Sequence, residues 1–446
     1  MPGNDYGFGR AVGWSYHVAV AAALARSQVP CRRKEPTMEP VFRDFDPERD
    51  MDGITRLWKE AGWLSRGEEA WLKVFLEGSR GMVAEVADGI ESFVLTTEGS
   101  MRYLSSELPL SAVTCVITGR AARRIGLGRR LLARAIARDA AEGAAVTALG
   151  AFDQGYYDAL GYGNGSYVVR AHFDPAQLKV VVRPRIPERL GAEHWREMHA
   201  ARLRRHARHG RCNLFPPAMS RYDGLDPDRY FGLGYREEPG GELTHFLWCH
   251  VSSAETGPYH VELVYRTGEE LLELLALVKS LSDQVVEVKM TEPPGVMLQD
   301  LLERPWRHVA LTRGGKHEVR FTATASWQFR ILDLTQCIEA THVRCGHTAF
   351  NLVLTDPLAD LEPETGWRGI GGRYVVRLGP ESSCREGTEV RLPVLEASVG
   401  AFSRLWLGVL PATGLAVAGE VHGPEGLLRQ LDELLRLPTP QPDWEF

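Results

Sequence analysis

Arg123-Arg124-Ile125-Gly126-Leu127-Gly128 stands between the apolar run 113–117 and an amphipathic helical stretch, and the reading of the whole chain turns on it. The run before it predicts a buried strand. After it, Leu127, Leu131, Leu132, Ala135 and Ile136 recur at helical spacing, with Gly143 placed as a C-terminal stop. Glycines three and five places after Arg123 let the backbone approach an anion closely. A helix starting there adds unpaired N–H groups and the positive end of its dipole. The pattern predicts a cradle for the pyrophosphate of a nucleotide cofactor. As a string of letters it is loose; its weight comes from sitting after a strand and at the head of a helix.

Working outward, the upstream chain predicts a strand at 40–43 and a helix at 50–62 with Ile54, Leu57, Trp58 and Ala61 on one face. A helical stretch at 68–77 and strands at 81–87 and 91–97 follow. Downstream come a strand at 145–149, a short helix holding Tyr156, Tyr157 and Leu160, and Gly161-Tyr162-Gly163 leading into a last strand at 167–173. This order predicts an α/β domain over 38–178. Residues 179–187, with prolines and alternating Val and Arg, mark a boundary. A second domain, 179–324, repeats the strand-helix-strand unit at 259–266, 268–282 and 285–290, but its helix opens on Glu269-Glu270. Carboxylates suit a helix N-terminus and repel pyrophosphate, so this copy is expected to be structural.

The third domain, 325–446, is expected to be α+β. Its strands are placed at 327–334 (with clean alternation), 349–355, 374–378 and 388–392, and its helices at 335–340, 398–406 and 425–437. A proline-rich tail, 438–446, ends in Trp444-Glu445-Phe446, and burial of those aromatics would dock it. Residues 1–37 hold a short apolar run, 18–25, preceded by Asp5 and a single arginine, Arg10. That is a poor leader, and the segment is expected to be a disordered or mis-assigned extension.

Composition narrows the function. A chain of 446 residues accommodates about three domains, and 44% hydrophobic with 25% charged residues is ordinary for globular proteins. A net charge of -6 argues against nucleic-acid binding. Seven cysteines (31, 115, 212, 249, 337, 345, 384), none spaced C-x-x-C, argue against a disulfide framework and a structural zinc site, and fit a reducing cytoplasm. His245, Cys249 and His250 are close in sequence but lie on a predicted strand, 243–251, and no metal is expected there. No apolar run reaches the ~18 residues of a membrane span.

The glycine loop and Tyr157-Asp158-Ala159-Leu160-Gly161-Tyr162, about thirty residues apart, together resemble the GNAT superfamily of acyl-CoA N-acetyltransferases. That superfamily carries R/Q-x-x-G-x-G/A followed by Y-x-x-x-G-F/Y. Within it, residues 38–446 resemble the enhanced intracellular survival (Eis) acetyltransferases. These join an active GNAT domain, a degenerate GNAT copy and a domain similar to sterol carrier proteins (SCP2-like). The degenerate repeat, the 327–334 strand with the 402–408 helix, and the aromatic-Glu-Phe end carry the likeness.

The resemblance implies acetyl-CoA as co-substrate and no metal. Val116, Ile117 and Thr118 would pair with the pantetheine arm. Arg123, Arg124, Ile125, Gly126, Leu127, Gly128 and Arg129 would hold the pyrophosphate, and Phe152 and Asp153 would make a further cofactor contact. It implies Tyr157 as general acid, the terminal carboxylate of Phe446 as general base, and a homohexamer. A phenol of pKa about 10 is protonated at neutral pH and ready to donate. An α-carboxylate of pKa about 3.5 is a weak base, so it must be desolvated, act through a water, or chiefly attract a cation. Glu445 would add a second negative charge, suiting a cationic amine of aminoglycoside, polyamine or lysine type. The SCP2-like domain would deliver the C-terminus rather than carry lipid.

Tyr156 and Tyr162 read as packing residues. One departure from the family pattern stands out: Thr118 and Arg120 replace a short apolar residue and a proline at the strand-to-loop corner. On that ground the second reading is a catalytically inactive GNAT-derived ligand-binding or scaffold protein. A nicotinamide-dependent oxidoreductase would need G-x-G-x-x-G and an acid ending the next strand, which instead ends in Leu149-Gly150.

Overall fold

The first sheet is built around a hairpin, Gly89–Tyr103 and Ser106–Thr118, that is far longer than its apolar runs announce. Its inner half is the expected pair of strands. Its outer half buries Met101, Tyr103, Leu108 and Leu110 against side chains from the C-terminal third of the chain; Tyr103 stacks on Trp406 at 4.3 Å. The structure, a computed structural model, describes residues 39–223, 229–252, 256–305, 314, 318–361, 366–444 and 446. The extension 1–37 and Glu445 fall outside the described residues.

Across this sheet the order is Val41–Asp44, Arg80–Val86, Gly89–Tyr103, Ser106–Thr118, Val146–Gly150, Trp327–Ile331 and Gly163–Asn164, with Cys212–Leu214 paired beside Gly89–Tyr103. Helix Pro47–Ala61 covers one face. Asp46 caps its start by accepting from the Glu48 N–H at 2.9 Å, Gly62 ends it at φ +77°, and Ile54, Leu57 and Trp58 pack on Phe93, Leu95, Cys115 and Ile117. Helix Leu127–Ala141 covers the other face, with Leu131, Leu132, Ala135 and Ile136 against Val94, Val113 and Leu149.

Two strands pair away from their sequence neighbours. Trp327–Ile331, which opens the C-terminal third, lies antiparallel between Val146–Gly150 and Gly163–Asn164. Its alternation predicts one solvated face, yet all five residues are buried. The donors of the polar face find internal partners: Arg330 donates to Asp356 at 2.5 Å and to the Leu160 carbonyl at 2.6 Å, and Gln328 donates to Asp158 at 2.6 Å and Asn164 at 2.8 Å. Conversely, Val168–Phe173 joins the second sheet, pairing with Val288–Thr291 and Arg320–Thr324.

The second sheet runs Arg320–Thr324, Val168–Phe173, Val288–Thr291, Tyr259–Val264, Leu243–Val251, Tyr230–Arg236, Glu188–Leu190. Its parallel pair, Tyr259–Val264 and Val288–Thr291, flanks helix Gly268–Ser280, which is the strand-helix-strand repeat expected there. The third sheet runs Ser383–Glu386, Gly372–Leu378, Thr348–Thr355, Val394–Ser398, Val421–His422, under helices Val399–Trp406, Ala412–Val417 and Glu425–Leu434. The strand expected at 388–392 is instead a turn. Val390 is fully exposed, and the Asn351 amide pins the turn by donating to the carbonyls of Glu389 and Leu392. Among the described residues no helix is long and apolar enough to cross a membrane.

Candidate functional site

The sheet splits where the glycine loop begins. Ser106–Thr118 pairs in parallel with Val146–Gly150 only from Leu110↔Val146 to Val113↔Leu149. A register shift between Leu95 and Thr96 places the extra residue, Thr114, at the start of the split. Among the described residues, Val116, Ile117 and Thr118 keep a strand partner on one side only, opposite Val94, Phe93 and Ser92. Their other main-chain edge faces a gap, and it can pair with an extended amide-bearing arm such as pantetheine.

At the mouth of this gap the chain makes a short 3-10 turn, Arg120–Ala122, passes Arg123, and takes left-handed conformations at Arg124 (φ +65°) and Gly126 (φ +79°) before the helix begins at Leu127. Among the described residues no side chain caps that helix, so its first N–H groups are available to an anion. Arg123, Arg124, Ile125 and Gly126 are exposed, while Leu127 and Gly128 are buried. Arg129 turns inward: its guanidinium donates to the Ala159 carbonyl at 2.9 Å and ties the loop to the segment after the short helix.

Gly128 is the point of closest approach. A Cβ there would lie 2.8 Å from Thr118 Oγ1 and 2.9 Å from the Tyr156 hydroxyl. Tyr156, a packing residue in the sequence reading, thus brings its hydroxyl to the head of the cradle helix. Burial pushes its phenol up to about 12, against the pull of nearby Arg129. Its ring also packs on the core that holds Tyr157, as the sequence reading has it.

Tyr157 forms the opposite wall, on helix Gln154–Asp158. It is 3% exposed and ringed edge-on by Phe152 (5.8 Å), Tyr156 (5.0 Å) and Tyr162 (6.0 Å). Burial, first of all, holds its phenol well above the usual value; the nearby Tyr156, Tyr162, Cys115 and Asp153 act the same way. Phe152 is 68% exposed and Asp153 is exposed beside it, at the end of Val146–Gly150.

The altered corner closes without obstruction. Thr118 bonds Ser92 hydroxyl to hydroxyl at 3.0 Å. Arg120 turns away to helix Pro47–Ala61, its N–H bonding the Glu60 carboxylate at 2.9 Å and its guanidinium the Glu60 carbonyl at 2.8 Å.

The tail also arrives here. Residues 438–444 are non-helical and docked: Ser166 donates to the Pro440 carbonyl, the Gln441 N–H to the His209 carbonyl at 3.1 Å, and the Cys212 N–H to the Pro442 carbonyl at 2.8 Å. Trp444 and Phe446 pack on the core, and the Phe446 carbonyl oxygen lies 3.0 Å from where a Cβ on Gly150 would stand.

In the second unit the equivalent helix start is capped by the Thr267 hydroxyl, with the Glu270 carboxylate turned back onto the chain before it. Thr267 accepts from the Glu270 N–H at 3.2 Å, and Glu270 accepts from the Arg266 N–H at 2.6 Å. Glu273 takes Arg185 and His245, and Arg185 above all holds its carboxyl down at about 2. His245 bonds Thr244 as well, Cys249 is buried, and the His250 ring lies 5.6 Å from that of His260. Among the described residues no three His, Cys, Asp or Glu side chains are grouped to hold a metal.

A parallel strand pair split beside a glycine loop, with an uncapped helix start on one side and a buried tyrosine on the other, marks this α/β segment. Residues 45–165 match the acetyltransferase (GNAT) domain family, so the chain carries an N-acetyltransferase domain of the class that uses acetyl-CoA. No curated protein matches the chain. Several solved structures share its fold. A probable N-acyltransferase from Enterococcus faecalis is 15% identical with a TM-score of 0.74, over 92% of this chain and 100% of that one. A GCN5-related N-acetyltransferase from Kribbella flavida is 20% identical with a TM-score of 0.71, over 92% and 98%. Eis1 from Mycobacterium abscessus is 18% identical with a TM-score of 0.71, over 92% and 100%. At such identities the likeness is one of fold.

Proposed function

We propose that the chain transfers the acetyl group of acetyl-CoA to a primary amine of a cationic acceptor, of aminoglycoside, polyamine or lysine type. Tyr157 is the general acid and, where Phe446 ends the polypeptide, its α-carboxylate is the general base. The observation that carries the reading is the meeting of the tail with the split sheet: Phe446 rests against Gly150, at the end of the strand that leads into the Tyr157 helix.

Acetyl-CoA supplies an activated thioester. Val116, Ile117 and Thr118 offer the open strand edge to its arm, and the N–H groups at 124–129 offer the helix-start cradle to its pyrophosphate. Phe152 and Asp153 flank the far side. The acceptor nitrogen attacks the acetyl carbon, the N–C bond forms and the C–S bond breaks. The amine's proton passes to the carboxylate, directly or through a water, and the departing thiolate takes the Tyr157 proton. The Phe446 carboxylate, with Glu445 beside it, gives the acceptor site negative charge. The SCP2-like third unit serves to bring the terminus there.

The test is thiol release from acetyl-CoA across a panel of aminoglycosides, polyamines and lysine peptides. Release is expected with at least one class of amine and is expected to vanish when Phe446 is removed or the chain is extended beyond it. No release with any amine refutes the activity, and full activity in a C-terminally extended protein refutes the carboxylate as base.

A further inference from the structure

Arg205, just after helix Trp195–Leu203, is 4% exposed, and a guanidinium so placed has five N–H groups to satisfy. Every one is satisfied. Nε donates to the Asp443 carboxylate at 2.7 Å, and Nη2 to the carbonyls of Asp443 at 2.5 Å and Cys212 at 2.8 Å. Nη1 donates to the Arg202 carbonyl at 2.7 Å and to Asn213 Oδ1 at 2.6 Å. Three acceptors thus belong to the stretch 202–213 and two to the tail.

What is gripped matters as much as the grip. Asp443 has φ +48°, a left-handed conformation that non-glycine residues adopt at a cost, and that turn aims Trp444. The Trp444 ring lies 5.0 Å from the Arg202 guanidinium and 5.3 Å from that of Arg205, with the His199 ring edge-on at 6.3 Å. Cys212 is engaged twice, its N–H on Pro442 and its carbonyl on Arg205, and it also pairs with Met101 in the catalytic sheet. The clasp is therefore fixed to the same sheet that carries Gly150, three residues of chain short of Phe446.

We propose that Arg205 is a positioning residue for acetyl transfer: by holding Asp443 in its turn, it sets where Phe446 meets Gly150. The stretch that the sequence reading places in a merely structural unit thereby holds the catalytic terminus. This inference rests on the role proposed for the Phe446 carboxylate. A buried ion pair alone argues weakly for function. The direction of the grip, onto the backbone and side chain of one strained tail residue, is what assigns it here.

The experiment uses full-length Arg205→Lys and Asp443→Asn with a variant lacking Phe446, read by steady-state thiol release and by hydrogen exchange. Lysine keeps the charge but loses the fork. Arg205→Lys is expected to lower kcat about 10–100-fold, as displacement of a reacting group by an ångström does, with the KM for acetyl-CoA within about twofold. Exchange should rise at 438–446 and stay unchanged at 195–203. Asp443→Asn, which leaves Arg205 in place, should lower kcat in the same direction by less, and it decides the matter should Arg205→Lys fail to fold.

Unchanged kcat in both substitutions, or a loss accompanied by exchange throughout 195–203, overturns the clasp. If removal of Phe446 itself leaves kcat intact, the carboxylate reading falls instead. If removal abolishes turnover while neither substitution alters it, only the clasp falls.

Discussion

Replacing Gly150 with alanine tests whether the chain's end takes part in turnover. The new methyl carbon would lie 3.0 Å from the Phe446 carbonyl oxygen and 3.9 Å from both its carbonyl carbon and its Cβ; these are its three nearest neighbours, and ordinary contact begins at 3.4 Å. Gly150 is outside the left-handed region, so alanine fits its backbone. Loss of chain freedom in the unfolded state then stabilises the protein by about 0.4–1 kcal/mol. The terminus recedes by about 0.4 Å to restore contact. If misplacing a reacting group by 1 Å costs about 10²-fold, that recession on a logarithmic scale costs about sixfold in kcat. The cradle at 124–129 is untouched, so the KM for acetyl-CoA should hold. The assay is thiol release at saturating amine with varied acetyl-CoA, alongside a thermal melt. The expected result is kcat down about three- to tenfold, KM within about twofold and Tm unchanged or higher. Parental kcat with parental Tm refutes the reasoning.

Three further outcomes follow from the site and its support. Tyr157→Phe should lower kcat about 10²-fold with acetyl-CoA affinity unchanged by titration calorimetry. Because burial holds the Tyr157 phenol above its usual value, wild-type kcat should not decline with rising pH below about 10, and a decline beginning between about 7 and 9 in the pH–rate profile contradicts that acid. Gly128→Ala presses on the Thr118 and Tyr156 hydroxyls and should weaken acetyl-CoA binding severalfold, whereas Gly126→Ala meets open space and should instead lower Tm, its φ of +79° costing about 1–2 kcal/mol; calorimetry and melting separate the two. Arg330→Met leaves the fully buried Asp356 carboxylate without its cation and should cost about 3–5 kcal/mol in urea unfolding, whereas Arg377→Met, at the exposed pair with Glu389, should leave the unfolding midpoint nearly unchanged.

What could be read in advance was local. The glycine loop, the helix it starts, Gly143 as its stop and the inward Tyr157 depend on neighbours within a few residues, and each stands where backbone preference puts it. What could not be read depends on partners far along the chain. Alternation in Trp327–Ile331 predicts a wet face because Gln328 and Arg330 are polar. Only Asp158, Asn164, Leu160 and Asp356, supplied from elsewhere, make that face dry. Arg205 is illegible for the same reason. Among Arg202, Arg204, Arg208 and Arg211 it reads as one more solvated charge, and its distinguishing acceptors, on Asp443, lie 238 positions away.

The exchanged strands explain why the site needs the whole chain. Val168–Phe173 follows the catalytic segment in sequence but pairs only within the second sheet, while Trp327–Ile331 comes from the C-terminal third and separates Val146–Gly150 from Gly163–Asn164. A cut after residue 178 would leave the first sheet with an unfilled slot beside Gly150 and strip from the second the strand next to its edge. The slot matters more. The Ala151 N–H bonds the Ser326 carbonyl at 2.9 Å, and Trp327 pairs with Gly150 itself, so the strand end that meets Phe446 is held by the C-terminal third. The cradle helix also packs on Leu332 and Leu358 from the C-terminal third, so the glycine loop and the place proposed for acid, base and acceptor alike draw on chain beyond residue 178.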